Sequence, residues 1–178
     1  VWTFCPPPCV AVTTIPSIPN TEHIFDSPNS FTVNLIAQDN NGCMDTFSGT
    51  ILVVENPTAQ ISTDSGCDGE CIFFDGSNSI PNSIFAITEW NFFTNGSGTS
   101  CSADNPTLDN TSFEYTGPGT YQVYIDIKDE NSCASNISET ITVYSNPTAG
   151  YIHSSILCQD SPVSFEDNSS EGDEQISN

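Results

Sequence analysis

The sequence predicts an all-β chain assembled from repeated β-sandwiches, and three observations carry that reading. Apolar and polar residues alternate at a period of two in several short runs, clusters of Gly, Pro, Asn and Ser separate those runs, and one residue pattern returns after about ninety positions. No stretch keeps the spacing of an amphipathic helix.

The repeat is read first because it sets the boundaries. FTVNLIAQDNNGC at residues 31–43 returns as YQVYIDIKDENSC at residues 121–133, an offset of 90 that includes the closing Cys. The same offset carries Asn56-Pro57-Thr58-Ala59 onto Asn146-Pro147-Thr148-Ala149 and Pro28 onto Pro118. Phe73 and Asp75 meet Phe165 and Asp167 at offset 92, and Trp2 and Phe4 meet Trp90 and Phe92 at offset 88. Two-residue insertions of this kind belong in loops.

Within one copy, Tyr121, Val123, Ile125 and Ile127 face one way, and Gln122, Asp126 and Lys128 the other; Phe31, Val33, Leu35 and Ala37 keep the same parity. Trp90 and Phe92 join the inward set. Further short strands are expected around residues 51–54, 59–61, 72–74, 87–92, 113–115 and 141–144. About seven strands in ninety residues give an immunoglobulin-like sandwich. Residues 57–146 then form one complete sandwich, residues 1–56 the later strands of a preceding one, and residues 147–178 the first strands of a following one. The Asn-Pro junctions are short, which favours a semi-rigid rod.

Composition narrows the function classes. The 23 acidic residues face a single basic one, Lys128, for a net charge of −22, so nucleic acid and anionic membrane are unsuitable partners. A chain with one Lys and no Arg also offers trypsin-like proteases one cleavage site. The 8 cysteines, none in a CxxC pair, indicate an oxidising, secreted or cell-surface setting. Without an initiator Met, signal peptide or long apolar span, the chain reads as mature, processed or excised from something longer, and direct membrane insertion is not expected.

Several residues also resemble a known family. The strand core Trp90-Asn91-Phe92, the turn Gly117-Pro118-Gly119-Thr120-Tyr121 leading to Val123, the 129–133 hairpin and the Pro-Thr-Ala opening of each unit resemble PKD (polycystic kidney disease) domains. The likeness is strongest to tandem copies in giant Bacteroidota surface proteins such as gliding-motility adhesins. His23-Ile24-Phe25 is similar to the family's His-x-aromatic step, which Phe113-Glu114-Tyr115 fills in the next copy. The acidic Gly-Asp-Gly loop usual after the Trp-x-Phe strand is replaced by Phe93-Thr94-Asn95-Gly96 and by Cys5-Pro6-Pro7-Pro8-Cys9. The resemblance implies a non-catalytic rod, stalk or filament segment of a cell-surface adhesin. Its alternative is an accessory carbohydrate- or protein-binding module of a secreted hydrolase.

The search for chemistry yields binding candidates and no catalytic set. His23 aligns with core Phe113, His153 lies near the first strand of the third copy, and neither belongs to a nucleophile motif. Cys5 with Cys9 and Cys67 with Cys71 have the spacing of half a zinc site, but the other half is missing, so disulfides are the stronger reading. In immunoglobulin-like strand order, Cys67 or Cys71 should pair with Cys101, and Cys133, at the opposite end, with Cys5 or Cys9. Asp126, Asp129 and Glu130 are the calcium candidates, with similar acidic turns at residues 39–41 and 64–70. No regular calcium-loop spacing occurs, and solvated turns account for them as well; no other cofactor is indicated. Tyr124 and Tyr144 beside Asn- and Ser-rich loops offer a platform for surface glycans. The Asn-x-Ser/Thr triplets at Asn95, Asn110, Asn136 and Asn168 match chance in so Asn- and Ser-rich a chain.

Aligned on the repeat, Val1 corresponds to Glu89 and Asn178 to Ala86, so tail and head are complementary. Residues 147–178 of one copy are therefore expected to complete the sandwich begun by residues 1–56 of the next, with Phe165 against Trp2 and Phe4. Neighbouring copies of the chain are the expected partners, with surface glycans or other surface proteins as lateral ones.

Overall fold

Each copy of the repeat is built on a long hairpin whose turn is dictated by five residues. In the first, β3 (Asn29–Gln38) and β4 (Met44–Val53) are joined through Asp39-Asn40-Asn41-Gly42-Cys43. In the second, β11 (Gly119–Asp129) and β12 (Ala134–Tyr144) are joined through Asp129-Glu130-Asn131-Ser132-Cys133, the first of which closes β11. Asp39 Oδ1 accepts the amides of Asn41 and Cys43 at 2.9 Å, and Asp129 Oδ1 accepts those of Asn131 and Cys133 at 2.9 Å. The fourth turn residue has positive φ in both, 84° at Gly42 and 66° at Ser132. An aspartate that satisfies two turn amides and one left-handed residue thus specify the reversal.

The computed structural model describes residues 2–5, 13–15, 20–102, 107–154 and 159–174. It divides into two units, residues 1–56 with 81–85 and residues 57–80 with 86–178. Every regular element among the described residues is a strand.

The second unit contains a closed sandwich. One sheet runs β5 (Ser62–Thr63), β7 (Cys71–Asp75), β10 (Asn110–Tyr115), β9 (Gly98–Ser100), and the other runs β6 (Gly66–Cys67), β12, β11, β8 (Ile87–Thr94). Between them Ile72, Phe74 and Tyr115 of one sheet pack on Val123, Ile141 and Val143 of the other. A second cluster holds Ala59, Ile125 and Ile127, with Trp90 and Phe92 against it. Val123, Ile125 and Ile127 are fully buried, while Gln122, Asp126 and Lys128 are exposed, as the alternation requires.

This is the immunoglobulin-like order, in which the first strand is shared between the two sheets. Two local features belong to it. Trp90 lies on β8, the strand that carries the buried Trp in such folds, and Tyr121 Oη at the start of β11 donates back to the Gly117 carbonyl at 2.9 Å, a tyrosine corner. Gly117 forms that corner at φ 96°. Gly76 is needed for a different reason: a Cβ there would run into the Ile125 side chain and lie 3.2 Å from Trp90 Cδ1.

The first unit has one four-stranded sheet, β2 (Thr13–Ile15), β1 (Trp2–Cys5), β3, β4. Trp2 stands opposite Leu35 in it, whereas Trp90 stands opposite Ile127 and Phe92 opposite Ile125. Leu35 and Ile125 are repeat equivalents, so the register counterpart of Trp2 is Phe92, and the sequence match of Trp2 to Trp90 is corrected by two residues. Faces are unchanged, because a slip of two keeps side-chain parity.

After the sandwich, Thr148 bridges Ser170 as Thr58 bridges Ile80, and β13 (Tyr151–His153) pairs with β14 (Phe165–Asp167). Some strand expectations shift. The one around residues 51–54 extends to all of β4, and that at 59–61 is reduced to the Thr58 bridge and a buried Ala59.

The buried Asp129 cap gives a first prediction. Asp129→Ala leaves the amides of Asn131 and Cys133 without their acceptor and is expected to destabilise the sandwich by about 2–3 kcal/mol in urea unfolding. Asp39→Ala, at the exposed turn where water can replace the carboxylate, should shift the transition less.

Candidate functional site

The cysteine expectations resolve unequally. Cys71 opens β7 opposite Glu114, and the Cys101 amide donates to Ser112 two residues along the same β10 strand. Their Cα atoms are 6.1 Å apart and the two form a disulfide. Cys67 lies on β6 in the other sheet, with its amide held by Glu70 Oε2 at 3.0 Å, and is a free thiol. Cys133 is also free, and the expected bridge from it to Cys5 or Cys9 is not formed. Its turn directs the sulfur toward Asn131 Nδ2, 4.0 Å away, and its repeat counterpart Cys43 is free as well. Cys9 and the side chain of Cys5 lie outside the described residues.

The three calcium candidates are not gathered into one cluster. Asp126 stands on the exposed face of β11, Asp129 is buried on the opposite face as the hairpin cap, and Glu130 is exposed in the turn. Among the described residues, Cys71, Cys101 and Glu114 are the group with metal-type donors, and its two sulfurs are bonded to each other. Tyr124 and Tyr144 are exposed, the first donating to Gln122 Oε1. His23 is exposed yet stacks on Phe4 at 4.2 Å, and His153 lies on β13 with Nδ1 2.8 Å from the Ser154 carbonyl.

What the two units do present is uncovered core. In the first unit, cross-strand pairing puts Phe47 opposite Leu35 and Ile51 opposite Phe31, on the face that also bears Trp2 and Phe4. Phe4, His23, Phe25 and Phe31 form an aromatic cluster at one end, with centroid distances from 4.2 to 6.2 Å. Beside that cluster the face is open: Ile51, the cross-strand partner of Phe31, is 45% exposed, while its equivalent in the closed sandwich, Ile141, is 2% exposed.

The β13–β14 hairpin shows the complementary lack. His153 stands opposite Phe165 as Thr63 stands opposite Phe74, so the structural counterpart of Phe165 is Phe74, and the sequence match to Phe73 is corrected by one residue. An extra residue, Glu166, precedes Asp167, which restores the repeat: Asp167 Oδ1 accepts the Ser169 amide at 2.9 Å as Asp75 accepts that of Ser77 at 2.8 Å. In each case hydrogen bonds from that serine's hydroxyl and amide hold the carboxyl below its usual value. Phe165 is nevertheless 66% exposed where Phe74 is 2% exposed, and Tyr151 and His153 extend the bare aromatic face, with centroids 5.5 and 6.1 Å from its ring.

This hairpin leaves the sandwich along a fixed path. Asp68 receives the Gly117 amide on Oδ1 and the Asn146 side-chain amide on its carbonyl, and its own amide donates to Tyr144. The Ser145 amide donates to Asp173. Cross-strand register, which periodicity alone does not fix, shows which aromatics line each of these exposed faces.

No protein-family model matches the chain, and no curated protein matches it. Among solved structures it is similar to the fibronectin(III)-like modules of Clostridium thermocellum CbhA, at 15% identity over 81% of this chain and 77% of that one, with a TM-score of 0.42. The immunoglobulin-like assignment rests on strand order, the tyrosine corner and the two-layer core. No helix among the described residues is long and apolar enough to cross a membrane.

Proposed function

We propose that the chain is a non-catalytic segment of an extracellular repeat rod, joined end to end when residues 147–178 of one copy cover the inner face of residues 1–56 of the next. The carrying observation is the pair of mismatched exposures: Phe165 and Ile51 lie bare at positions where Phe74 and Ile141 are each 2% exposed. One half-core offers the strands that the other lacks, and burying both removes apolar surface from water at about 25 cal/mol per Å². Such joining is heterologous, so it extends into an open filament wherever the rotation between successive copies does not close a ring.

The Cys71–Cys101 disulfide and the near absence of basic residues support an extracellular setting, and the motif around Trp90 and the Gly117 turn supports the PKD type within the immunoglobulin-like class. A long cell-surface adhesin is the protein to which such a rod belongs, with glycans or other surface proteins met along its flanks.

Sedimentation of the full chain tests this. The expected result is concentration-dependent linear oligomers that strengthen with salt, since a charge of −22 on each copy opposes contact until it is screened. Phe165→Ser and Ile51→Asp should each abolish association while leaving unfolding of the closed sandwich unchanged. A strictly monomeric chain at high salt, or oligomers indifferent to both substitutions, would overturn the proposal.

A further inference from the structure

The closed sandwich has an open side. Among the described residues β8 is the last strand of its sheet, hydrogen-bonded to β11 and to no other strand, and it carries one charged residue, Glu89, paired with Lys128 at 3.4 Å. The chain then crosses to the opposite layer, where β9 pairs with β10. A cleft of about 490 Å³ lies between the two sheet edges, floored by Phe74, Trp90, Phe92 and Phe113 and rimmed by Phe93 and Thr111.

The first unit treats the same edge differently. β1, the counterpart of β8, is flanked on its second side by β2, antiparallel, with Ile15 opposite Trp2 and Thr13 opposite Phe4. The repeat therefore holds a strand at this edge in one copy and leaves it bare among the described residues of the other. A covalent reason is at hand. Cys101 follows β9 directly and is bonded to Cys71 of β7, which ties the segment after β8 to the far sheet and keeps it from folding over β8. A long apolar edge without Pro or an edge-protecting Lys invites pairing.

We infer that the β8 edge and its cleft take an extended strand from a second copy of this chain, the uncharged segment around Thr13–Ile15, added antiparallel as β2 is added to β1. Charge selects that segment: residues 1–21 contain no Asp, Glu, His, Lys or Arg in a chain of net −22, so they approach the acidic sandwich without repulsion. Main-chain hydrogen bonds to β8 would provide the affinity, and the aromatic cleft would receive alternate side chains. The contact is lateral and independent of the end-to-end joining through Phe165.

The test is titration of a synthetic peptide of residues 10–17 into the full chain, in a Phe165→Ser background, followed by amide NMR and hydrogen exchange. The expected result is shifts confined to β8 and the cleft lining, with exchange of the outer β8 amides slowed roughly tenfold or more. A peptide N-methylated at the Thr14 position, or a Phe93→Lys chain with a charge on the rim, should lose the effect. No perturbation at millimolar peptide, or perturbation only in the β1–β2 region, would overturn the inference.

Discussion

Phe74→Ala is expected to lower the stability of the closed sandwich by about 3–5 kcal/mol, the cost of removing a large aromatic from a packed site and leaving a cavity. Phe74 is 2% exposed on β7 and packs against Val123, Ile141 and Val143 from the other sheet, which cannot collapse into the space without breaking register. Domains of this size have about 5–15 kcal/mol in total, so the variant should be near its unfolding threshold, with a midpoint roughly 15–30 °C lower. Phe73→Ala is the matched control. Its side chain is 55% exposed on the opposite face of the same strand, and a shift of under about 1 kcal/mol is expected. Thermal unfolding followed at Trp90 in a Trp2→Phe background measures both, and equal shifts would mean that the inward and outward faces of β7 have been exchanged.

Reduction of the Cys71–Cys101 bridge is expected to cost about 3–4 kcal/mol, because the bond closes a loop of 30 residues and removes that freedom from the unfolded chain. The effect should appear as a lower denaturation midpoint with a somewhat steeper slope, because the reduced unfolded chain is less compact and exposes more surface. Cys67→Ser, at a free thiol on the other sheet, should leave the midpoint almost unmoved. Insensitivity to reductant would show that the folded segment around β9 holds itself in place, and the edge of β8 would then owe its openness to packing.

How much of this was legible in the residues depended on their period. The parity of Val123, Ile125 and Ile127 is a property of any extended chain with one wet face, so the inner surface of β11 could be read directly. The hairpin turns were legible because Asp129 and Asp39 act locally, within four residues. Register was not. Trp2 and Trp90 look equivalent as letters, but strand pairing depends on loop lengths at both ends, and a slip of two residues costs no change of face. Phe165 was matched to Phe73 for a similar reason, since the additional Glu166 between Phe165 and the aspartate turn hides the displacement. Cysteine pairing failed at Cys133 because a thiol's partner is set by the direction of one Cα–Cβ bond in a turn, which spacing does not encode. The choice between Cys67 and Cys71 needed to know which sheet each belongs to, and the switch between sheets occurs within the few residues between them.

The short β6 strand has a mechanical consequence. Gly66 and Cys67 run parallel to Val143 and Tyr144, and the contact is reinforced by the Thr142 amide donating to Ser65 Oγ and the Asp68 amide donating to Tyr144. When the sandwich is pulled through the chain entering at Pro57 and leaving at Asn146, the load reaches this patch along the strand direction. The bonds are then sheared together instead of being unzipped one after another, and rupture is governed by the unfolding rate under force rather than by the equilibrium stability. A chain of such units would resist tension at one small seam per repeat, and a modest change there, such as Gly66→Pro, would set the force at which the whole thread begins to lengthen.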